Sequence, residues 1–455
     1  MTNGAGERRD LPGVGTLLES PELAHMLAAA PRQAVTNAVR AAIARVRTGS
    51  EPQPVGAAGW SDLVISELGS ITRPSLRPVI NATGVVLHTN LGRAPLAAAA
   101  IRAVQETAAG FCNLEYDLET GERGSRYAHC VSLLRELTGC EDALIVNNCA
   151  AALILAVDTF ARDRGVVISR GELVEIGGSF RIPDILRRGG ARLVEVGTTN
   201  RTHLADYESA ITTETGAILK VHRSNFSISG FTAEVSSDQL AALGKERGIP
   251  VVHDLGSGLL IALDDIGLRG EPTAAEALRS GSDIVVFSGD KMLGGPQAGI
   301  VLGKAGAINA MRSNPLARAL RVDKLTISAL GATLSLYRDP NEARREIPVL
   351  AMLSAPAESL RDRAAKVAAA LEARGVACEV VASESPVGGG AFPSAVLQSS
   401  AVALRENAEI ADERLRGSAP AVVGRAKDGR LLLDLRSVLP HEDELLVLTV
   451  GAALA

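Results

Sequence analysis

The chain has 455 residues, 46% of them hydrophobic and 22% charged, a composition typical of a globular protein that buries a substantial core in two or three domains. The formal net charge of -5 excludes a general attraction to nucleic acid or anionic membranes, so any RNA contact requires a local basic patch. The five cysteines include no CxxC pair, which predicts neither a disulfide framework nor a metal site. The N-terminus has no secretory signal, and no run of about 18 apolar residues could span a membrane. These features predict a cytoplasmic protein.

Residues 1–70 are predicted to form a small helical domain. One helix presents an apolar face at the spacing i, i+4, i+8 and i+11, formed by Val35, Val39, Ile43 and Val46. The stretch from Leu23 to Ser50 contains no acidic residue but four arginines, Arg32, Arg40, Arg45 and Arg47. Charge alone favours the interpretation that these arginines form a solvated helix face.

Seven short apolar runs follow, at residues 143–148, 166–170, 192–197, 217–222, 250–254, 283–288 and 298–303. Most are rich in valine and isoleucine, continuous rather than alternating, and separated by helix-length segments. This pattern predicts strands buried on both faces of a mostly parallel seven-stranded sheet in a large α/β domain, residues 71–336. The last two runs are separated by only about nine residues, too few for a helical crossover, so we expect them to be antiparallel neighbours.

A smaller α/β domain is predicted over residues 337–455. It begins at a break in the pattern at 337–343 and continues with a helix-like segment at 358–375. Three strand-like segments follow, with a glycine cluster at 388–390 between the first and the second.

Lys291 stands apart from the other lysines because it directly follows a buried strand, within the glycine-rich segment Gly289–Pro296. Removal from water lowers the pKa of a lysine and favours Schiff-base formation with an aldehyde. The glycines let the backbone close around a flat ring and its phosphate. Taken alone, the position is equally compatible with a lysine in a surface hairpin.

Two further segments supply what a pyridoxal phosphate site needs. Asp254 ends a buried strand and can face the ring nitrogen, although it can also serve as a capping residue. Asn148, Cys149 and Ala150 join a strand to an apolar helix, whose N-terminal N–H groups can bind the phosphate. Ser288, just before the glycine-rich segment, is another candidate cofactor contact. The order of phosphate loop, aspartate and lysine is typical of the aspartate-aminotransferase-like pyridoxal enzymes, fold type I.

Seven longer motifs then make the resemblance specific: INATGVVLHTNLGRAPL (80–96), NLEYDLETGERGSRY (113–127), SRGELVEIGGSFRIPD (169–184), VGTTNRT (196–202), KVHRSNFSISGF (220–231), HDLGSG (253–258) and SGDKMLGGPQAG (288–299). They resemble the bacterial selenocysteine synthases, the L-seryl-tRNA(Sec) selenium transferases, over roughly residues 75–330. Cys149 departs from the family pattern, in which a third asparagine is common, so the role of its side chain stays open.

The resemblance implies a substrate and a reaction. Serine esterified to tRNA(Sec) would lose its β-hydroxyl by pyridoxal-phosphate-dependent elimination, and selenium from selenophosphate would add to the resulting aminoacrylyl intermediate. Lys291 would remove the Cα proton, and Asp290 is a candidate to assist the departing hydroxyl. The N-terminal domain would bind the tRNA. The resemblance also implies a homodecamer built from dimers, with active sites at the dimer interfaces.

The resemblance also associates Arg93, Arg318 and Arg321 with the selenophosphate anion, which fixed guanidinium groups can bind. Arg318 and Arg321 are three residues apart and would share one face if their segment is helical. Arg223, Ser224 and Asn225 follow a strand where related enzymes contact the cofactor ring, and the sequence does not distinguish among them.

Two other functions remain open at this point. One is a related lyase that acts on a small amino acid or amino sugar and lacks a tRNA-binding unit. The other is a catalytically silent paralogue that serves in binding or assembly. The N-terminal helical segment argues against the first, and the presence of Lys291, Asp254 and the phosphate loop argues against the second.

Overall fold

The computed structural model describes residues 11–72, 74–175 and 181–455, so part of the 169–184 motif and residues 1–10 of the predicted helical domain lie outside the described residues. The chain divides into two compact units, Met1–Pro78 and Val79–Ala455. Within the described ranges, no helix has both the length and the apolar character needed to cross a membrane.

The first unit is helical, with helices α1 Val14–Leu18, α2 Ala24–Ala29, α3 Arg32–Thr48 and α4 Gly56–Thr72. Val35, Val39 and Ile43 of α3 are buried in its core, as their spacing predicts. Helix α3 ends at Gly49, which adopts the left-handed conformation that favours glycine. Because α4 continues to Thr72, the predicted boundary at residue 70 falls inside a helix.

The second unit begins with strand β1 Val79–Asn81 and contains a seven-stranded sheet. Its strands are β2 Asp142–Val146, β3 Gly165–Ser169, β4 Arg192–Val196, β5 Thr215–Val221, β6 Val251–Gly256, β7 Ile284–Ser288 and β8 Gly299–Gly303. Their order in the sheet is β2-β8-β7-β6-β5-β3-β4. Strands β4, β3, β5, β6 and β7 are parallel, and β8 runs antiparallel to both β7 and β2. All seven predicted strands and the antiparallel pair are confirmed.

Helices cover both faces of this sheet. They are α5 Ala98–Ala108, α6 Ala128–Thr138, α7 Cys149–Ala161, α8 Ile182–Arg188, α9 Leu204–Ala210, α10 Ser237–Arg247, α11 Ala274–Arg279, α12 Ala305–Ser313, α13 Pro315–Ala319, α14 Lys324–Leu336, α15 Pro340–Glu346 and α16 Pro348–Ser354. In β5, Leu219 packs in the core that includes α7, whereas Ile218 packs with Leu240 of α10. Burial on both faces explains why the strands are continuous apolar runs.

The C-terminal part contains α17 Ala357–Glu372, β9 Cys378–Pro386, β10 Val396–Leu404, α18 Ala408–Gly417, β11 Ala421–Val423, β12 Arg425–Lys427, β13 Arg430–Asp434 and α19 Asp443–Leu454. Strands β12, β13, β10 and β9 form an antiparallel sheet. Its core contains Ile80 and Ala82 together with residues from Leu360 onward, while residues of α15 and α16 pack in the core of the large sheet. Strand β1 pairs in parallel with β11, so residues 79–81 join the C-terminal part despite their position in the sequence.

Candidate active site at the carboxyl edge of the sheet

Lys291 lies in the short connection between β7 and β8 and is only 6% exposed. The connection is held tightly by its own backbone: Gly289 donates to Ala298 and Gly294 donates to Lys291. Met292 also donates its N–H to the carbonyl of Ser257, in the segment that follows β6. Lys291 is therefore a buried lysine on a rigid connection, not the exposed hairpin lysine of the alternative interpretation.

The backbone at two glycines approaches the Lys291 amine closely. A Cβ atom at Gly390 would lie 2.6 Å from Lys291 Nζ, and one at Gly256 would lie 3.8 Å from it. Both glycines have positive φ angles, 89° and 71°. Among the described residues, the buried hydroxyls of Ser224 and Ser257 have no hydrogen-bond partner. Glycines that let the backbone approach the amine, together with buried hydroxyls that have no partner, are features that a flat, polar cofactor fits.

Asp254 lies near the end of β6 and is 5% exposed. The Cys149 thiol donates to its carboxylate, with 3.5 Å between Sγ and Oδ1. Burial raises the pKa of the Asp254 carboxyl above its ordinary value, and the nearby Lys291 ammonium acts in the opposite direction. A protonated ring nitrogen would give this buried carboxylate a cationic partner, so the position fits a pyridinium ring.

The N-terminus of α7 lies next to Asp254. Asn148 caps this helix by accepting the N–H of Ala151 at 2.8 Å. Cys149 and Ala150 begin the helix, so their N–H groups have no intrahelical acceptor and can bind a phosphate. Burial raises the pKa of the Cys149 thiol, which therefore stays a neutral donor between the helix end and the aspartate.

Ser288, the last residue of β7, is 7% exposed and lies near the Cys149 thiol, whose pKa it acts to lower. Of the three residues after β5, Arg223 pairs with Glu234 and Asn225 donates to the Glu175 carbonyl. Ser224 instead is buried, with its hydroxyl facing Gly256. By these contacts Ser224 and Ser288 lie near the residues around Lys291, whereas Arg223 and Asn225 bond to residues elsewhere.

Arg93 and Asp290 form an ion pair at 2.6 Å although 197 residues separate them. Arg93 has a positive φ of 64°, and the N–H of Ala94 donates to the Asp290 carbonyl. The guanidinium is 36% exposed, which leaves N–H groups available to an anion. Arg93 is thereby fixed beside the residue that precedes Lys291.

The condition for a shared helical face of Arg318 and Arg321, a helix over both residues, is not met. Helix α13 ends at Ala319, and Arg321 instead forms a β-bridge with Val146 at the end of β2. Arg318 is exposed, while Arg321 lies 3.5 Å from the carboxylate of Glu115. No contact shown between described residues joins either arginine to Arg93. Within the same described ranges, no group of three or more His, Cys, Asp or Glu side chains is placed to hold a metal ion.

The glycine cluster at 388–390 is the part of the site that sequence reasoning did not connect with the chemistry. The sequence places it in the smaller domain, whereas the structure places Gly390 against Lys291. Three glycines in a row between two strands are a detectable signal of a close backbone approach. What they approach depends on the tertiary structure.

Comparison with known proteins agrees with this arrangement. A family model described as L-seryl-tRNA selenium transferase matches residues 79–439, and one described as selenocysteine synthase N terminal matches residues 8–47. The L-seryl-tRNA(Sec) selenium transferase of Geobacter sulfurreducens is 50% identical over 444 residues, covering 95% of this chain and 96% of the relative. The enzyme of the same name from Moorella thermoacetica is 49% identical, covering 98% and 97%.

A solved structure, that of D-glucosaminate-6-phosphate ammonia-lyase, shares the fold with a TM-score of 0.58 and 24% identity, covering 83% of this chain and 96% of that chain. The fold and the site define a pyridoxal-phosphate-dependent transferase of fold type I, as the sequence predicts. The chain belongs to the L-seryl-tRNA selenium transferase family.

Proposed function

We propose that this chain converts L-seryl-tRNA(Sec) to L-selenocysteinyl-tRNA(Sec) with selenophosphate as the selenium donor. The observation that carries the proposal is the placement of Lys291, buried between Gly256 and Gly390 and close to Asp254, in a chain of this family. Pyridoxal phosphate, when bound, supplies an electron sink for charge that develops at the substrate Cα.

Each residue of the site has its own proposed role in the reaction. The N–H groups of Cys149 and Ala150 would hold the phosphate of the cofactor, and Asp254 would keep the ring nitrogen protonated. The Lys291 amine, once free, removes the proton from the substrate Cα, because its short, tightly bonded connection holds it beside the reacting atoms. Asp290, fixed by Arg93, lies next to this lysine and assists the departing hydroxyl.

Arg93, Arg318 and Arg321 are proposed to bind the selenophosphate anion. Arg93 is the one that the ion pair with Asp290 holds beside Lys291. Among the described residues, Arg318 and Arg321 make no contact with Arg93, which is compatible with an anion site completed by another chain. We also propose the dimer-based homodecamer that the family resemblance implies, which the exposed apolar side chains of Phe111 and Leu118 support.

The N-terminal unit is proposed to bind the tRNA through phosphates. Arg32, Arg40 and Arg47 of α3 are exposed. Arg45 is also on α3 but pairs with Glu51 and Glu67. Three arginines thus remain to contact RNA, which supports a recognition based on shape and phosphates. A charged tRNA as substrate is consistent with a cytoplasmic location.

The experiment is an assay of the purified full-length chain with seryl-tRNA(Sec), selenophosphate and pyridoxal phosphate. We expect selenocysteinyl-tRNA as the product, and no conversion of free L-serine in a parallel reaction. Turnover of free serine or an amino sugar, with none of seryl-tRNA, would instead identify the related lyase. Cofactor binding without turnover of any of these substrates would favour the catalytically silent paralogue.

A further inference from the structure

The connection between β9 and β10 covers the end of the Lys291 side chain. Leu87 donates its N–H to Val387, and Gly389 donates to Leu87, so the backbones of the two segments pair. Gly390 then lies so close that a Cβ atom would be 2.6 Å from Lys291 Nζ. We call residues 387–392 the glycine loop.

The glycine loop is fastened at its far end by one buried carboxylate. Glu271 accepts the N–H of Phe392 at 3.1 Å, and its side chain is only 1% exposed. Phe392 has a φ of 48°, a left-handed conformation that a residue with a side chain rarely adopts without support. The hydrogen bond to Glu271 fixes the N–H of this strained residue, while its carbonyl accepts the N–H of Ala395 at 3.0 Å.

Glu271 is itself held in place on two sides. It precedes Pro272 and the capping residue Thr273 of α11, and the proline restricts the backbone conformation of Glu271. On the other side, His222 Nε2 lies 3.1 Å from the same carboxylate oxygen, within ion-pair distance but without hydrogen-bond geometry. The N–H of His222 donates to the carbonyl of Asp254 at 2.8 Å.

These contacts form one path between the two residues that we assign to the cofactor. It leads from Asp254 through His222 and Glu271 to Phe392, and through the glycine loop to Lys291. The other carboxylate oxygen of Glu271 is buried and has no partner among the described residues. A buried carboxylate with an unsatisfied oxygen is costly, which indicates that its position serves more than local stability.

We propose that Glu271 is a positioning residue of the reaction: it holds the glycine loop against Lys291 and thereby shields the linkage between Lys291 and the cofactor. The proposal rests on the assignment of Lys291 in the proposed function. Without the acceptor at Glu271, Phe392 relaxes from its left-handed conformation and Gly390 moves away. The linkage between Lys291 and the cofactor is then exposed to water, and Lys291 is less well placed to move the substrate Cα proton.

The test compares the full-length holoenzyme with three variants: Glu271→Ala, Glu271→Gln and Glu234→Ala. Glu234 and Glu271 both border a cavity of about 660 Å³. Glu234 is the matched control, because it pairs with Arg223 and does not contact the glycine loop. The measurements are the rate at which borohydride removes the cofactor absorption, kcat and KM for seryl-tRNA, and the melting temperature.

Glu271→Ala should still melt as a folded protein. Borohydride should remove its cofactor absorption about tenfold faster, and its kcat should fall about tenfold with a smaller change in KM. Glu271→Gln should stay close to the unmodified enzyme, since its amide oxygen still accepts the Phe392 N–H. Glu234→Ala should not differ from the unmodified enzyme. A folded Glu271→Ala enzyme with unchanged reduction rate and kcat overturns the proposal, and so does a Glu271→Gln enzyme as impaired as Glu271→Ala.

If Glu271→Ala does not fold, hydrogen–deuterium exchange of the unmodified holoenzyme tests whether the glycine loop is fixed. In the unmodified holoenzyme, a peptide over residues 387–393 should exchange at least tenfold more slowly than the exposed segment 229–232. Equal exchange would contradict a fixed loop. Peptide mapping of the borohydride-reduced enzyme separates the two proposals. An adduct on another lysine contradicts the proposed function. An adduct on Lys291, with equal reduction rates in the unmodified and Glu271→Ala enzymes, contradicts only the role of Glu271.

Discussion

The cationic side chains at the carboxyl edge of the sheet and those on helix α3 have opposite surroundings. Lys291 is 6% exposed, close to Asp254 and covered by the glycine loop. Arg40 and Arg47 of α3 are exposed and form no ion pair shown among the described residues. A cation shielded from water is suited to one defined chemical step, whereas an exposed cation attracts phosphates by screened charge. Changes in the two regions should therefore alter different measurements.

Lys291→Ala should have the largest effect, because Lys291 is proposed both to hold the cofactor and to move the Cα proton. We expect turnover to be abolished and the absorption of the lysine–cofactor linkage to disappear. Borohydride reduction of the unmodified enzyme, followed by peptide mapping, should locate the adduct on Lys291. An adduct on another lysine would show that the buried lysine is not the reactive one.

Asp254→Ala should slow turnover by roughly two to four orders of magnitude, the range that a positioned acid–base group contributes. The loss arises because the ring nitrogen is no longer kept protonated, while the N-terminus of α7 still binds the phosphate. Single-turnover kinetics and a cofactor titration measure the two effects separately. Unchanged turnover would mean that another residue holds the ring.

Deletion of residues 1–78 should weaken seryl-tRNA binding by about 100-fold, since several phosphate contacts are lost together. The cofactor absorption should stay the same because the unit has its own core. Filter binding and absorption spectra of the same preparation check both statements. Equal tRNA affinity of the two proteins would contradict the role of the unit and favour the small-molecule lyase.

Alanine at Arg93, Arg318 or Arg321 should raise the KM for selenophosphate by about 10- to 100-fold, the cost of one charge-assisted hydrogen bond. The affinity for seryl-tRNA should change little. Arg338→Ala is a suitable control, because this exposed arginine pairs with Glu136 on the protein surface. If tRNA affinity falls and the donor KM does not, these arginines contact the tRNA.

Single replacement of Arg40 or Arg47 by alanine should have the smallest effect. Each should weaken tRNA binding only several-fold and reduce the slope of log affinity against log salt by roughly one. Arg45→Gln is the comparison within the same helix, because Arg45 already pairs with Glu51 and Glu67. An equal loss for Arg45→Gln would mean that charge anywhere on α3, and not an exposed face, attracts the tRNA.

The sequence alone determined the sheet, the order of the site residues and the family. Strands buried on both faces must be apolar throughout, so a local pattern was sufficient to locate all seven. The short connection that holds Lys291 could only join antiparallel neighbours, and it does. Functional groups at strand ends, such as the Asp254 carboxylate and the N-terminus of α7, could be predicted in the same way.

Only the tertiary structure decided which distant segments meet at the lysine. Arg93 reaches Asp290 across 197 residues, Gly390 comes from the connection between β9 and β10, and Glu271 holds Phe392 across 121 residues. Helix α13 also ends before Arg321, which local spacing did not reveal. Periodicity reports whether a residue is buried, because burial repeats along one element. Which backbone it is buried against depends on the packing of the whole unit, and no local pattern records that.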